Sequence, residues 1–294
     1  MPTAHDLVLS SLLGDALALG THWVYDQEKI VRERAPVEGF SDPLSDYHPG
    51  KQAGDFTHYG DQVALLLKSV RAEGRFALET YAAEWRAFWE HPGTQTYRDG
   101  ATKATLAHLQ GGGSPHTPGS DSHDFSGAVR SGPLFLLEWP DDTALEAAAR
   151  ELASFTHGDP AVIEASTFLV RVTRAVQGGA PIPTAVRSAA EQSDGRHLPP
   201  EWLGAAEESA QSARRDAEAI KALGLPCGVE SALPATLHLL LRYPEEPAVA
   251  LQRNAEAGGD NAARGLALGL VYGARFGVSA YPANWVDDLR LERA

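Results

Sequence analysis

The sequence predicts an all-α fold, on three observations. Apolar residues recur at helical spacing in segment after segment, and Gly, Pro and Asp punctuate the segments where helices would start and stop. No stretch shows sustained apolar–polar alternation or the rhythm of a βαβ unit. The first element lies over 7–19, with Leu9, Leu12, Leu13, Ala16 and Leu17 at helical spacing and Gly20 after it. Gly14 and Ala18 share one side, which permits close packing, and Asp15 sits on the apolar segment, where an unpaired carboxylate is costly. It caps a neighbour or faces a polar pocket. The next run, His22-Trp23-Val24-Tyr25-Asp26, lines a cleft or covers the core; both readings stay open.

Residues 34–56 read as irregular, with Pro36, Pro43 and Pro49. Gly54 to Gln62 then forms a polar cluster ahead of Val63, Leu66, Leu67 and Val70, which share one helical face. One Ser/Thr/Asp cap explains one member of that cluster, not all of them. Residues 78–91 carry Tyr81, Trp85, Phe88 and Trp89 as an aromatic core face, and 99–110 is a short helix. The Gly-rich stretch 111–122 is long enough to be functional or mobile. It leads through Asp124 to Arg130, placed by this reading at a pocket edge and open to an anion. Helices follow over 142–153 and from Asp159-Pro160 to Gly178, then over 183–193, 201–223, 231–242 and 246–256.

The stretch that organises the chain is Gly258-Gly259-Asp260-Asn261 and the helix it opens. Two glycines permit a tight turn, and Asp260 stands where its side chain would cap the helix. Gly265, Gly269, Gly273 and Gly277 recur every four residues and make a smooth ridge for close helix packing. Each interior Gly costs up to about 1 kcal/mol relative to Ala, so the run implies a packing purpose.

The 294 residues suit a single large helical domain spanning 1–294. Hydrophobic content of 43% and charged content of 22% fit a soluble globular protein. The net charge of -14 argues against nucleic acid and anionic membranes as partners, while a small anionic substrate could still be held locally. One cysteine, Cys227, precludes an internal disulfide framework, and no signal-peptide pattern opens the chain, so a cytoplasmic location is expected.

Three predicted helix ends bring carboxylates: around Asp15, around Asp61 and at Asp260. Carboxylates converging from several helices are what Mg²⁺ or Ca²⁺ requires, and no zinc-type Cys or His spacing appears. Four motifs occur in order: Ser11-Leu-Leu-Gly-Asp-Ala16, Gly54-Asp-Phe-Thr-His-Tyr-Gly-Asp-Gln62, Thr156-His-Gly-Asp-Pro160 and Gly258-Gly-Asp260. Together they resemble the ADP-ribosylglycohydrolase superfamily, which includes the dinitrogenase-reductase-activating enzymes, over almost the whole chain. The resemblance implies a large orthogonal helical bundle with a two-magnesium centre that orients the ribose of an ADP-ribosyl group for glycosidic hydrolysis.

The sequence departs from the active pattern of that superfamily at the ligand positions. Where the superfamily has Thr-Asp-Asp-Thr, this chain has His58, Tyr59, Gly60 and Asp61; where it has Gly-Gly-Asp-Thr-Asp-Thr, Asp260 is kept but Ala262 replaces the second Asp. These versions resemble the branch that contains the J1 crystallins and selenoprotein J. The expectation is a hydrolase of an ADP-ribosyl or nucleotide-like substrate with a degenerate Mg²⁺ centre, weaker than in active members or absent, held by Asp61 and Asp260. Asp61, Asp260 and His58 would be catalytic. Asp15, His22, Asp55, Tyr59, Asp124, Arg130, Asn261 and Arg264 would contact substrate, Arg264 alternatively pairing with a carboxylate. The competing expectation is an inactive, crystallin-like ligand-binding or structural protein.

Overall fold

The computed structural model describes residues 2–291, and among them only helices and turns form, apart from one isolated antiparallel bridge between Asp124 and Gly228. Helix α1 (Ala4–Leu19) starts at a capping box made by Thr3 and Asp6 and is buried on nearly every side from Leu7 onward. That is why its apolar residues show little one-sidedness. Asp26 caps α2 (Gln27–Glu33), a short helix between the aromatic run and the Pro-rich stretch. Thr57 caps α3 (His58–Glu73), which ends at Gly74 in the left-handed conformation. Helix α4 (Leu78–Glu90) buries Tyr81, Trp85 and Trp89, as its aromatic spacing predicts, and Asp99 caps α5 (Gly100–Gln110).

Two 3₁₀ turns, Phe125–Ala128 and Gly132–Leu136, carry the chain through the core before α6 (Asp142–Thr156) and α7 (Pro160–Gln177). Asp159 and Pro160 open α7 as cap and first-turn proline, as expected. Helix α8 covers Ile182–Glu191. The span 201–223, expected as one helix, is two: α9 (Pro200–Gln211) and α10 (Asp216–Leu223). At the break the Ser212 hydroxyl bonds the Ser209 carbonyl and Arg242 takes the Ser212 carbonyl, so side chains satisfy backbone that a continuous helix would have used. Then come α11 (Val229–Arg242), α12 (Pro247–Ala257), α13 (Asn261–Phe276) and the short α14 (Ala283–Asp287).

Helices α1 and α13 form the central pair. A Cβ added to Gly265 would lie 2.3 Å from the Gly14 carbonyl oxygen, one on Gly14 would lie 2.0 Å from the Gly265 oxygen, and one on Gly269 would lie 2.0 Å from the Ser10 oxygen. The two backbones therefore touch without side chains between them, and the Ser11 hydroxyl bonds the Leu266 carbonyl at 2.9 Å across the seam. Gly277 does not extend the ridge: it ends α13 with φ near +66°. A hydrophobic cluster including Leu12, Leu13, Trp85, Phe168, Leu240 and Leu270 surrounds this pair. Among the described residues no helix is long and apolar enough to cross a membrane.

Candidate acid and histidine site

Of the three acidic helix ends expected, those of Asp61 and Asp260 are helix starts and are built differently, whereas Asp15 lies inside α1. At the start of α3, Asp15 is fully buried and serves Thr57: it accepts from the Thr57 amide at 2.7 Å and from the Thr57 hydroxyl at 2.6 Å. Of the two readings, the geometry shows Asp15 serving a neighbour, with both carboxylate oxygens on Thr57. Burial pushes its carboxyl up to about 7 against those hydrogen bonds. Asp61, one turn later, is gripped by Lys51 Nζ at 2.8 and 2.7 Å to its two oxygens. The pair faces a hollow of about 360 Å³ that Asp55, Phe88 and Thr94 also line. Asp55 bonds the Gln52 amide and lies 3.7 Å from Arg290, so it shapes this loop.

At the start of α13 two turns are stitched together. Trp23 donates to the Gly259 carbonyl at 2.8 Å and Gly259 donates to the Val24 carbonyl at 2.8 Å. Gly258 and Gly259 sit at φ +68° and +65° and pack against Val24 and Leu225, where a Cβ would clash. Trp23 adopts φ +60°, the only non-Gly residue with positive φ among those described, a strained conformation at the edge of the site. The result aims His22 at Asp260: His22 Nε2 lies 2.7 Å from Asp260 Oδ1, with both side chains fully buried.

The expected capping role of Asp260 is corrected: its carboxylate makes no cap hydrogen bond, because Oδ1 is taken by His22 and Oδ2 has no partner. Its amide donates to Leu225 instead. The strap 225–228 also holds Asp124, through Phe125 donating to the Cys227 carbonyl and Val229 to the His123 carbonyl. The Tyr59 hydroxyl donates to Asp124 Oδ2 at 3.3 Å. Burial and then the Asp260 charge raise Asp124 to about 7, and burial raises Asp260 to about 6 against the pull of Arg264 and His58. Burial, then Asp124 and Asp260, push the Cys227 thiol far up, so it is no thiolate nucleophile.

Three expected substrate contacts are instead structural. Arg130 is fully buried and spends its guanidinium on Gln62 Oε1 at 2.8 Å and on the Thr156 hydroxyl, so it is not open to an anion. Asn261 donates to the Thr21 hydroxyl at 2.7 Å, and Arg264 donates to Asn254 Oδ1 at 2.9 Å and to the Gly258 carbonyl, bracing the turn under Asp260 rather than pairing with a carboxylate.

Two further members, His48 and Asp99, were not among the expected site residues, and they surround His58, which was. His48 lies in the Pro-rich irregular stretch, yet its Nε2 is 2.9 Å from His22 Nδ1. His58 stacks on the same group, with His22–His58 and His48–His58 ring centroids 5.9 and 6.1 Å apart. Asp99, read only as a helix start, lies 3.3 Å from His58 Nε2. Burial alone would raise Asp99, but His58 and the Thr102 amide hold it below the usual carboxylate range. Trp23, Tyr47 and Tyr97 pack edge-to-face over these rings, with centroids 5.0 to 5.7 Å apart.

These residues do not fit a two-magnesium centre of oxygen ligands. Asp61 is neutralised by Lys51, and position 262 offers a buried methyl group. A Cβ on Gly60 would sit 2.3 Å from Asp15 Oδ2, so the space a second carboxylate needs is occupied.

Fold and site together define an all-α protein with a buried acid–histidine centre where the chain leaves α1 and enters α13. The sequence profile of the ADP-ribosylglycohydrolase family matches residues 3–294, and the chain belongs to that family. It is similar to crystallin J1A of Tripedalia cystophora, with 23% identity over 299 residues, 95% of this chain and 89% of that protein. In fold it is similar to a solved ADP-ribosylglycohydrolase-related protein complex, at TM-score 0.74 and 20% identity, covering 99% of this chain and 93% of that one.

Proposed function

We propose that this protein is a hydrolase that cleaves a glycosidic bond of an ADP-ribosyl or nucleotide-like small substrate, with side-chain acid–base chemistry in place of a two-magnesium centre. The observation that carries the reading is Asp260: a fully buried carboxylate with one oxygen fixed by His22 and the other without a partner. Together with Asp124 it supplies two carboxyl groups whose surroundings move them toward neutrality, the arrangement glycoside hydrolysis uses. In this reading Asp124 is the acid: it carries its proton up to about pH 7 and delivers it to the leaving group. Asp260, ionised above about pH 6 and oriented by His22, takes a proton from water. Tyr59 orients Asp124. Asp61 and His58 stand outside the acid–base pair, Asp61 because Lys51 holds both of its oxygens.

The test is turnover of ADP-ribosylated arginine and serine peptides and a panel of nucleoside glycosides. Asp260→Asn and Asp124→Asn are each expected to lose about 100-fold or more, the usual worth of a positioned acid or base. Equal rates in Asp260→Asn and the parent would discard Asp260. A parent inert across the panel would favour the second reading, a crystallin-like binding or structural protein. The similarity to crystallin J1A supports that reading.

A further inference from the structure

We infer that His22, His48 and His58 form a binding site for a divalent transition-metal ion of the zinc class. One ring nitrogen of each lies within 4.8 Å of one from each of the others, and all three side chains are buried. Ring centroids stand 5.0, 5.9 and 6.1 Å apart. Around an ion with Zn–N bonds of about 2.0–2.1 Å, a tetrahedral arrangement spaces ligating nitrogens by about 3.3 Å. His22 Nδ1 and His48 Nε2 are 2.9 Å apart, so those rings need open by less than half an ångström.

The outer partners match such a site. Metal-ligating histidines generally give their second nitrogen to a carboxylate, which fixes tautomer and orientation. His22 gives Nε2 to Asp260 at 2.7 Å, leaving Nδ1 toward His48, and the Asp99 carboxylate stands at ion-pair distance, 3.3 Å, from His58 Nε2. Without an ion, neither ring nitrogen of His58 has a hydrogen-bond partner, although both are buried. A hydrogen bond between His22 and His48 accounts for one nitrogen on each ring and does nothing for His58. Three neutral nitrogen donors and no nearby thiolate select zinc, cobalt or nickel over magnesium or calcium, and three protein ligands leave a fourth position for water or substrate. The strained Trp23, directly after His22, closes over the trio with Tyr47 and Tyr97 and limits water at the site. This inference is independent of hydrolysis, since a binding protein of the same fold would hold the ion equally well.

The experiment strips the full-length protein with chelator, adds Zn²⁺, Co²⁺ or Mg²⁺ and removes unbound ion by gel filtration. One equivalent of Zn²⁺ or Co²⁺ should remain, the Co²⁺ form should show the visible bands of a four-coordinate site, and both should raise Tm, whereas Mg²⁺ should do neither. His48→Gln should weaken retention by more than the roughly 10–100-fold that loss of an outer partner such as Asp99 costs. Asp61→Asn should leave it unchanged. A parent that retains no transition ion, or a His48→Gln variant that folds with the parent's circular dichroism and retains as much, overturns the site. Because the readouts are metal content and spectrum, a failure here is separate from a failure of turnover.

Discussion

The starts of α3 and α13 make opposite uses of the same residue type. At α3 the carboxylate of Asp61 faces a solvent-lined hollow and is held by Lys51. At α13 the carboxylate of Asp260 is wholly buried, shares one oxygen with a neutral histidine and leaves the other unpaired. A charge beside a Lys at a wet surface is settled; a buried, half-paired carboxyl beside other acids is poised to exchange a proton. The comparison shows why motif position is a poor guide to role: both acids stand in stretches that resemble the superfamily's acidic motifs, and only one is in an environment suited to chemistry.

The largest effect that would break this contrast is on turnover. Asp260→Asn should cost about 100-fold or more, and Asp61→Asn no more than about threefold, measured as kcat/KM on the best substrate of the panel. A large loss at Asp61 would move the centre to the α3 start. Next comes an attempt to restore the missing superfamily ligand. Gly60→Asp forces a side chain into the space of Asp15 Oδ2, so urea unfolding should show a loss of about 3 kcal/mol and no gain in Mg²⁺ binding. If the variant keeps its stability and gains magnesium, the α3 start is more adaptable than its packing indicates.

A pH titration sharpens the comparison from the α3 side. Asp15 has a folded pKa of about 7 against an ordinary 3.8, so between those values the native state holds more of its proton than the unfolded chain does. Its contribution to stability therefore falls as pH rises from about 4 to about 7, by at most about 1.4 kcal/mol per pH unit. Asp15→Asn cannot titrate: its stability relative to the parent should improve across that window, as read by urea unfolding at successive pH values. The smallest effect belongs to the α3 ion pair. Lys51→Ala should lower stability by about 1 kcal/mol, since water in the adjacent hollow can solvate Asp61 once the ammonium is gone.

Much of the fold was legible because helix signals are local. Caps at Asp99 and Asp159, the aromatic spacing of α4 and the glycine ridge of α13 each lie within a few residues of what they control. The site was legible only in part. Asp260 and Tyr59 were marked by the motifs and His22 and Asp124 by the runs around them, but the roles of Arg130, Asn261 and Arg264 depended on partners outside their own stretch, at Gln62, Thr21 and Asn254. His48 carried no signal, because three histidines at 22, 48 and 58 have none of the close spacing that identifies metal ligands in a sequence.

Taken alone, the sequence determined the helical class, the small-residue faces of α1 and α13 and the departure from the superfamily's metal motif, since periodicity, small residues and residue identity are properties of short stretches. Only the tertiary structure decided which acids are free. Burial, a lysine from a loop ten residues away and a histidine 238 residues away set the state of Asp61 and Asp260, and such neighbours exist only once the chain has folded.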